Sequence, residues 1–457
     1  MSTVAQNLID IRSAFDDRIT KPLSWRLKQL DALSRMLVIH GSEFEQAMTA
    51  DLGRNATESY LSEIGFVKGE IKLVRRHLRR WLKPQRVGTP VAVAPARAYT
   101  VLEPLGAVLI ISPWNYPLQL LLAPFVGALA AGNAVLLKPS ELAPATSAAL
   151  ARLIPQYLDS RAIRVVEGGV EETTELLEQR WDHIFYTGNA AVGRIVAQAA
   201  AKHLTPITLE LGGKSPVYVD DSTNIPVAAA RIAWAKFINA GQTCVAPDYI
   251  LATESVRDRL ADALKDAVKS FYGEDPETSA DYSRIVNDRH FDRLRALLGS
   301  GRVGFGGQVT PESRFIAPTV LVDVPRDAPV MEQEIFGPLL PIITVANLDD
   351  ALQFINAGEK PLSLYVFSES KSVRRRFVTE TSSGAIGFGV AAAHVAVPGL
   401  PFGGVGESGM GSYHGKRSLM TFSHEKPVLA KGLVPETMKL LYPPYTKNKD
   451  KIVRTLG

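Results

Sequence analysis

From Leu105 to Gly213 the chain alternates short aliphatic runs with helical segments. GAVLIIS precedes PLQLLLAPFVGALAAG, NAVLLKP precedes ELAPATSAALARLIPQYL, and IRVVEGG precedes EETTELLEQ. HIFYTG then precedes AAVGRIVAQAAAKH, and PITLELGG closes the series. A strand whose residues are apolar on both faces cannot border water. It belongs in a parallel sheet covered by its own crossover helices. The pattern predicts an open α/β domain with its ligand at the C-terminal ends of the strands. A second α/β pattern starts near Gly212 with SPVYVD and IPVAAARIAWAKFI, and runs through PLLPIITV, LDDALQFINAG and LSLYVF to AIGFG.

The flanking segments read differently. Residues 8 to about 83 have helical spacing and end at Pro84. Lys72, Arg75, Arg76, Arg79, Arg80 and Lys83 fall on one broad helix face, which reads as a solvated surface or as a contact for an anionic membrane or an acidic partner. Residues 87–104 alternate apolar and polar positions around Pro and Gly, and predict ribbon strands outside the main core. The Gly-rich run from Phe402 to Gly411 predicts a loop. Residues 118–137 are long enough to cross a bilayer, but Pro124, Gly132 and Asn133 interrupt them. They read as a buried helix, a turn and a buried strand. No secretory leader is expected from MSTVAQNLIDIRSAF, and the tail after Tyr442 is polar. With 51 Lys and Arg against 47 Asp and Glu, the net charge of +4 does not suit a dedicated nucleic-acid binder. A single cysteine excludes an intrachain disulfide and any zinc site built on several thiolates. No metal cluster is expected.

Few residues offer chemistry. Cys244 stands in NAGQTCVAP, a turn-rich loop after a predicted helix. It reads as an accessible nucleophile or as a buried structural thiol. Glu210 ends a predicted strand before Gly212 and Gly213, and Glu334 sits in a loop before another; each reads as a crevice carboxylate or a solvated strand-end charge. Asn115, in PWNY, has an amide able to donate to an oxyanion. Lys138 and Glu141 in KPSE are placed to hold ribose hydroxyls, or form a surface pair. Gly188 and Gly193 mark a strand-to-helix turn whose helix N-terminus suits phosphate, or is a plain tight turn.

Together PWN, KPSE, the TGxxxxG turn, ELGGKSP, GQTC, EIFGP and PFGG resemble the aldehyde dehydrogenase superfamily, in its order and over nearly the whole chain. Longer strings, among them GGVEETTELLEQRWDHIFYTG and LPFGGVGESGMGSYHGK, are similar to its class 3 and fatty aldehyde branch. The resemblance implies that fold: a Rossmann-type cofactor domain (1–86 and 105–211), an α/β catalytic domain (212–400), a β-ribbon oligomerisation arm (87–104 and 401–430) and a tail (431–457). It implies oxidation of aldehydes to acids through a cysteine thiohemiacetal and thioester. Cys244 would be the nucleophile, Glu210 the base that activates water, and Asn115 an oxyanion donor. Lys138, Glu141, Gly188, Gly193, Glu334, Phe336, Trp114 and Leu211 would bind the dinucleotide, NAD with NADP also accepted. Tyr116 and Phe402 would line a pocket for a medium or long aliphatic or an aromatic aldehyde. A cytoplasmic homodimer with no transmembrane anchor is expected. Transfer of the acyl group to coenzyme A, and non-catalytic ligand binding, are the competing readings. The chain departs from the branch at Gly387-Phe388-Gly389, where an Asn-Asp-like pair is usual, and at Asn189, where a small hydroxyl residue is usual.

Overall fold

A computed structural model describes residues 3–456. Residues 1, 2 and 457, the ends of the expected first and last segments, lie outside the described residues. The aliphatic runs form a six-stranded sheet. Its order is Ile163–Val165, Ala134–Lys138, Ala107–Ile111, His183–Thr187, Ile207–Glu210 and Gly409–Met410. The first five strands are parallel. The chain builds outward one way from Ala107–Ile111, then returns to its other side with His183–Thr187. That reversal opens a crevice at the C-terminal ends of these two central strands. Every residue of both is buried, which is why neither sequence shows a polar alternation. The helix Gln119–Ala131 is also buried at every residue, and Gly132 ends it with a φ of 92°.

The second sheet has seven strands, in the order Arg302–Phe305, Thr319–Val322, Leu339–Thr344, Tyr249–Ala252, Pro216–Val219, Ser363–Phe367 and Ala385–Phe388. Only the first pair is antiparallel. The segments bearing Gly212, Cys244 and Glu334 enter this sheet and do not leave it: each immediately precedes one of its strands. The crevice therefore has strand ends of the first sheet on one wall and strand-entry loops of the second on the other. Gly241 and Gly337 lock two of these loops together. A Cβ on Gly241 would lie 2.3 Å from the Gly337 carbonyl oxygen.

A third sheet joins Gln85–Val87, Ala96–Pro104 and Ser423–Lys431, all antiparallel. The expected loop 402–411 differs from the sequence reading at its end. Gly409–Met410 pairs antiparallel with Leu209–Glu210. Gly409 has a φ of 148°, and a Cβ there would sit 2.3 Å from the Leu209 carbonyl oxygen, so this close edge pairing needs glycine. The sequence reading also missed the helix Asp288–Leu297, capped where the Asn287 side chain accepts from the His290 N–H at 2.9 Å. The tail contains a ten-residue helix, Lys447–Leu456.

Candidate active site

The first wall of the crevice carries polar atoms without protein partners. The hydroxyls of Ser112 and Thr187, the Asn115 Oδ1 and both Glu210 carboxylate oxygens are buried and unpaired among the described residues. All four residues lie at or just beyond the C-terminal ends of three adjacent strands. Buried polar groups are nearly always satisfied. A row of unsatisfied ones at a topological switch point marks a site for a polar ligand and for water. Glu210 is 2 % exposed, and burial pushes its carboxyl well above the ordinary range. Burial thus favours its neutral form over its charged one.

The loop leading to Cys244 is built by amides. After the helix Ile225–Phe237, residues Asn239, Ala240 and Gly241 have φ of 53°, 51° and 75°. Three successive left-handed residues are unfavourable on their own and persist only when their surroundings over-determine them. Here Asn239 Nδ2 donates to the main-chain oxygens of Asn115 (2.9 Å) and Gln242 (3.1 Å). Gln242 Nε2 donates to Asn239 O and Arg284 O, both at 3.0 Å. Asn115 Nδ2 donates to Gln242 O at 3.0 Å, which fixes the amide orientation and leaves its second N–H for a ligand. Thr243 Oγ1 and Tyr116 Oη lie 2.7 Å apart. Tyr365 Oη donates to Val245 O at 2.6 Å.

Cys244 is half-buried within this frame. Burial first, then the Glu334 and Glu210 carboxylates, push its thiol up to about 12. All three groups thus share one electrostatic neighbourhood. Glu334 is pushed up to about 8, by burial and then by Asp248, against the opposing Gly213 N–H, Lys214 and Lys236. Gly212 is bare because a Cβ there would meet Glu334 Oε2 at 1.9 Å. The loop holding Glu334 is gripped from three sides. Asp248 accepts from the Ile335 N–H at 2.8 Å, Arg293 donates to Ile335 O at 2.7 Å, and Lys214, ion-paired with Asp248, donates to Gln333 O at 2.9 Å.

The other sequence-selected residues fall around this centre. Phe336 sits edge-on to Trp114, with centroids 5.4 Å apart. Lys138 is buried at its strand end, donates to Pro139 O at 2.9 Å, and lies 3.6 Å from Glu141, whose side chain is half exposed. Gly193 packs on Leu211, and both line an open cleft with Ala190, Leu209 and Met410. Gly188 leaves room for the Tyr186 hydroxyl, which a Cβ would meet at 2.2 Å. Asn189 caps the helix Ala190–Ala201, accepting from the Val192 N–H at 2.9 Å, so the substitution at this position keeps a capping oxygen. Phe402 stacks on His414, with centroids 5.3 Å apart. Tyr116 is buried beneath the Arg54 guanidinium, 4.6 Å from the ring centre. Sequence reasoning missed Arg54, Glu63, Asn239, Lys214 and Asp248. Lys214 stood inside a quoted motif, ELGGKSP, and Asn239 opens another, NAGQTCVAP.

A model of the aldehyde dehydrogenase family matches residues 3–428. The chain belongs to that family. The dimeric NADP-preferring aldehyde dehydrogenase of Rattus norvegicus is 50% identical over 97% of this chain and 98% of its own. Aldehyde dehydrogenase family 3 member A2 of Mus musculus is 49% identical over 97% of this chain and 92% of its own. A solved structure of the substrate-bound state of Staphylococcus aureus AldH superposes with a TM-score of 0.97 at 46% identity, covering 100% of this chain and 99% of that one. Among the described residues of this aldehyde dehydrogenase no group of His, Cys, Asp and Glu could hold a metal ion. No helix among them is long and apolar enough to cross a membrane.

Proposed function

We propose that Cys244, Glu210 and Asn115 carry out the oxidation of an aldehyde to its acid. The observation that supports this most is the row of unpaired polar atoms ending at Glu210, beside the only thiol in the chain. The Cys244 thiol gives its proton to solvent water and the sulfur bonds to the carbonyl carbon. The carbonyl electron pair moves to oxygen, which accepts from the free Asn115 N–H and the Cys244 main-chain N–H. A nicotinamide dinucleotide, when bound, supplies the hydride acceptor. The residues present fit such a group. Lys138 and Glu141 would hold one ribose and Glu334 the other. The cleft over Gly193 and Leu211 at a helix N-terminus would take the phosphates, with Gly188 at its turn, and Trp114 with Phe336 would flank the ring. Glu210 then takes a proton from water, the water oxygen adds to the acyl carbon, and the carbon–sulfur bond breaks.

The rat relative is named NADP-preferring and dimeric. Here Glu141 has Lys138 as a neighbour and is otherwise open to solvent, which supports NAD with NADP accepted. The strand Ser423–Lys431 is an exposed sheet edge, the kind of edge a second copy covers; we place the chain as a homodimer, in the reducing cytoplasm where a lone thiol persists. His394 and His414, pushed down by burial to about 4 and about 3, stay neutral beside Phe402. That neutral aromatic wall supports an apolar or aromatic aldehyde.

The test is a panel of aliphatic and aromatic aldehydes, each with NAD and NADP, on wild type and Cys244→Ala. Wild type is expected to form acid from apolar members and Cys244→Ala from none; acid formation by the variant would overturn the assignment. A pH dependence follows from the same charges. The Cys244 thiol, pushed up to about 12, holds its proton at neutral pH and acts without it, so the rate must rise with pH. For ester hydrolysis without cofactor, kcat/KM is expected to rise about tenfold per pH unit between about pH 6 and 9. A flat profile over that range would contradict the placement of the thiol.

A further inference from the structure

Arg54 is fully buried, far in sequence from every motif, and has no part in the mechanism above. Its guanidinium spends each edge on the crevice. Nη1 is ion-paired with Glu63, Nη2 donates to the Asn115 main-chain oxygen, and Nε donates to Asn239 Oδ1 at 3.3 Å. Its face covers the Tyr116 ring. Glu63 completes the grip, since its Oε2 accepts from the Leu118 and Gln119 N–H groups at 2.7 and 3.0 Å. The turn after Asn115 is therefore clamped at its carbonyl by Arg54 and at its N–H groups by Glu63.

Three residues under Arg54 reach across to the nucleophile loop. Asn239 Nδ2 ties Asn115 O to Gln242 O, Asn115 Nδ2 bonds Gln242 O, and Tyr116 bonds Thr243. The circuit closes at Gln242 and at Thr243, the residue immediately before Cys244. Both proposed oxyanion donors, the Asn115 amide and the Cys244 N–H, thus take their spacing from one buried guanidinium. A planar fork with donors on three edges suits three acceptors in fixed directions. Breaking a buried pair is costly, but a simple stability role does not explain why two of the three donors aim at this circuit.

We propose that Arg54 is a positioning residue that holds the two oxyanion donors in register. The proposal rests on the mechanism above. It separates two reactions of the same sulfur. Ester hydrolysis builds a carbonyl oxyanion; alkylation by iodoacetamide displaces iodide from carbon and builds none. Cys244 is the only cysteine in the chain, so alkylation reports on it alone.

The experiment compares Arg54→Met, Arg54→Lys, Asn115→Ala and the pair Arg54→Met with Asn115→Ala, in the full chain. Arg54→Met is expected to lower kcat for cofactor-free hydrolysis of p-nitrophenyl acetate by about 30- to 100-fold, below the full loss typical of a deleted oxyanion donor. KM and the alkylation rate should stay within about threefold, and Arg54→Lys should recover at least about tenfold of the loss. In the Asn115→Ala background, Arg54→Met should add less than about threefold, because the group it positions is gone. Losses that multiply in the double variant, or alkylation slowed in parallel with hydrolysis, overturn the positioning role. Should Arg54→Met fail to fold, Asn239→Gly removes the amide strap and keeps the left-handed backbone; the same cycle with Asn115→Ala then decides. A Cys244→Ala chain that still hydrolyses the ester would sink the underlying mechanism, an outcome distinct from either failure of Arg54.

Discussion

Glu210→Gln is expected to acylate and then stall. Glutamine fills the same buried space, so Cys244 and the proposed oxyanion donors are untouched. What disappears is the proposed acceptor for the proton of the attacking water. With p-nitrophenyl acetate and no cofactor, the variant should release a burst of one p-nitrophenolate per Cys244. Steady turnover should then run about a thousandfold below wild type, within the usual span for a lost general base. Full-rate turnover without a burst would move the base elsewhere. Stability should change in a defined direction as well. The folded Glu210 carboxyl titrates well above 4.5, its ordinary value. Below pH 4.5 both folded and unfolded chains hold the proton. Above it the unfolded chain releases the proton and the folded one does not, so wild-type stability falls as pH rises toward the folded value. Glutamine cannot ionise. The Tm of Glu210→Gln should therefore exceed that of wild type at pH 8, and the gap should close toward pH 4.5.

That stall depends on features of unequal visibility in the sequence. The first sheet was legible because a strand buried on both faces has no polar alternation, and runs such as AVLII and AVLLK have no other stable use between helices. Glu210, Cys244 and Asn115 stood out because each lies where a buried element ends and polar groups return. Arg54 and Glu63 gave no signal. Nine residues apart and near other charges, they read like any exposed pair, and only the fold reveals that they are fully buried. The clamp on Asn115 is made by residues distant in sequence, and no local pattern encodes it. The left-handed turn at 239–241 was half visible. Asn and Gly favour that conformation, but Ala240 does not. The edge strand Gly409–Met410 hid for a related reason. Its pairing depends on a glycine's close approach to Leu209, which a Gly-rich run leaves undetermined.

Gly241→Ala is expected to disable both walls of the second sheet's contribution at once. Gly241 has a φ of 75°, and an added Cβ would stand 2.3 Å from the Gly337 oxygen, 2.5 Å from its carbon and 3.0 Å from the Pro338 nitrogen. All three are main-chain atoms, so no side chain can rotate away. The left-handed backbone costs an alanine about 1 kcal/mol or more by itself. The remaining strain must separate two loops. One bears Cys244 three residues on; the other bears Phe336 and Glu334. In the proposed mechanism ester hydrolysis depends on the first and dinucleotide affinity on the second, so the variant should lose both. The expected losses are at least about a hundredfold in kcat/KM for hydrolysis, as for a displaced oxyanion donor, and at least about tenfold in dinucleotide affinity by fluorescence titration. Gly69 provides the contrast. It is exposed within the helix Gly65–Trp81, and a Cβ there meets nothing within 4 Å. Gly69→Ala should leave both activities intact and stabilise the fold by about 0.5–1 kcal/mol. Loss of hydrolysis in Gly241→Ala with dinucleotide affinity unchanged would show that the two loops move independently, and that the contact between Gly241 and Gly337 does not couple them.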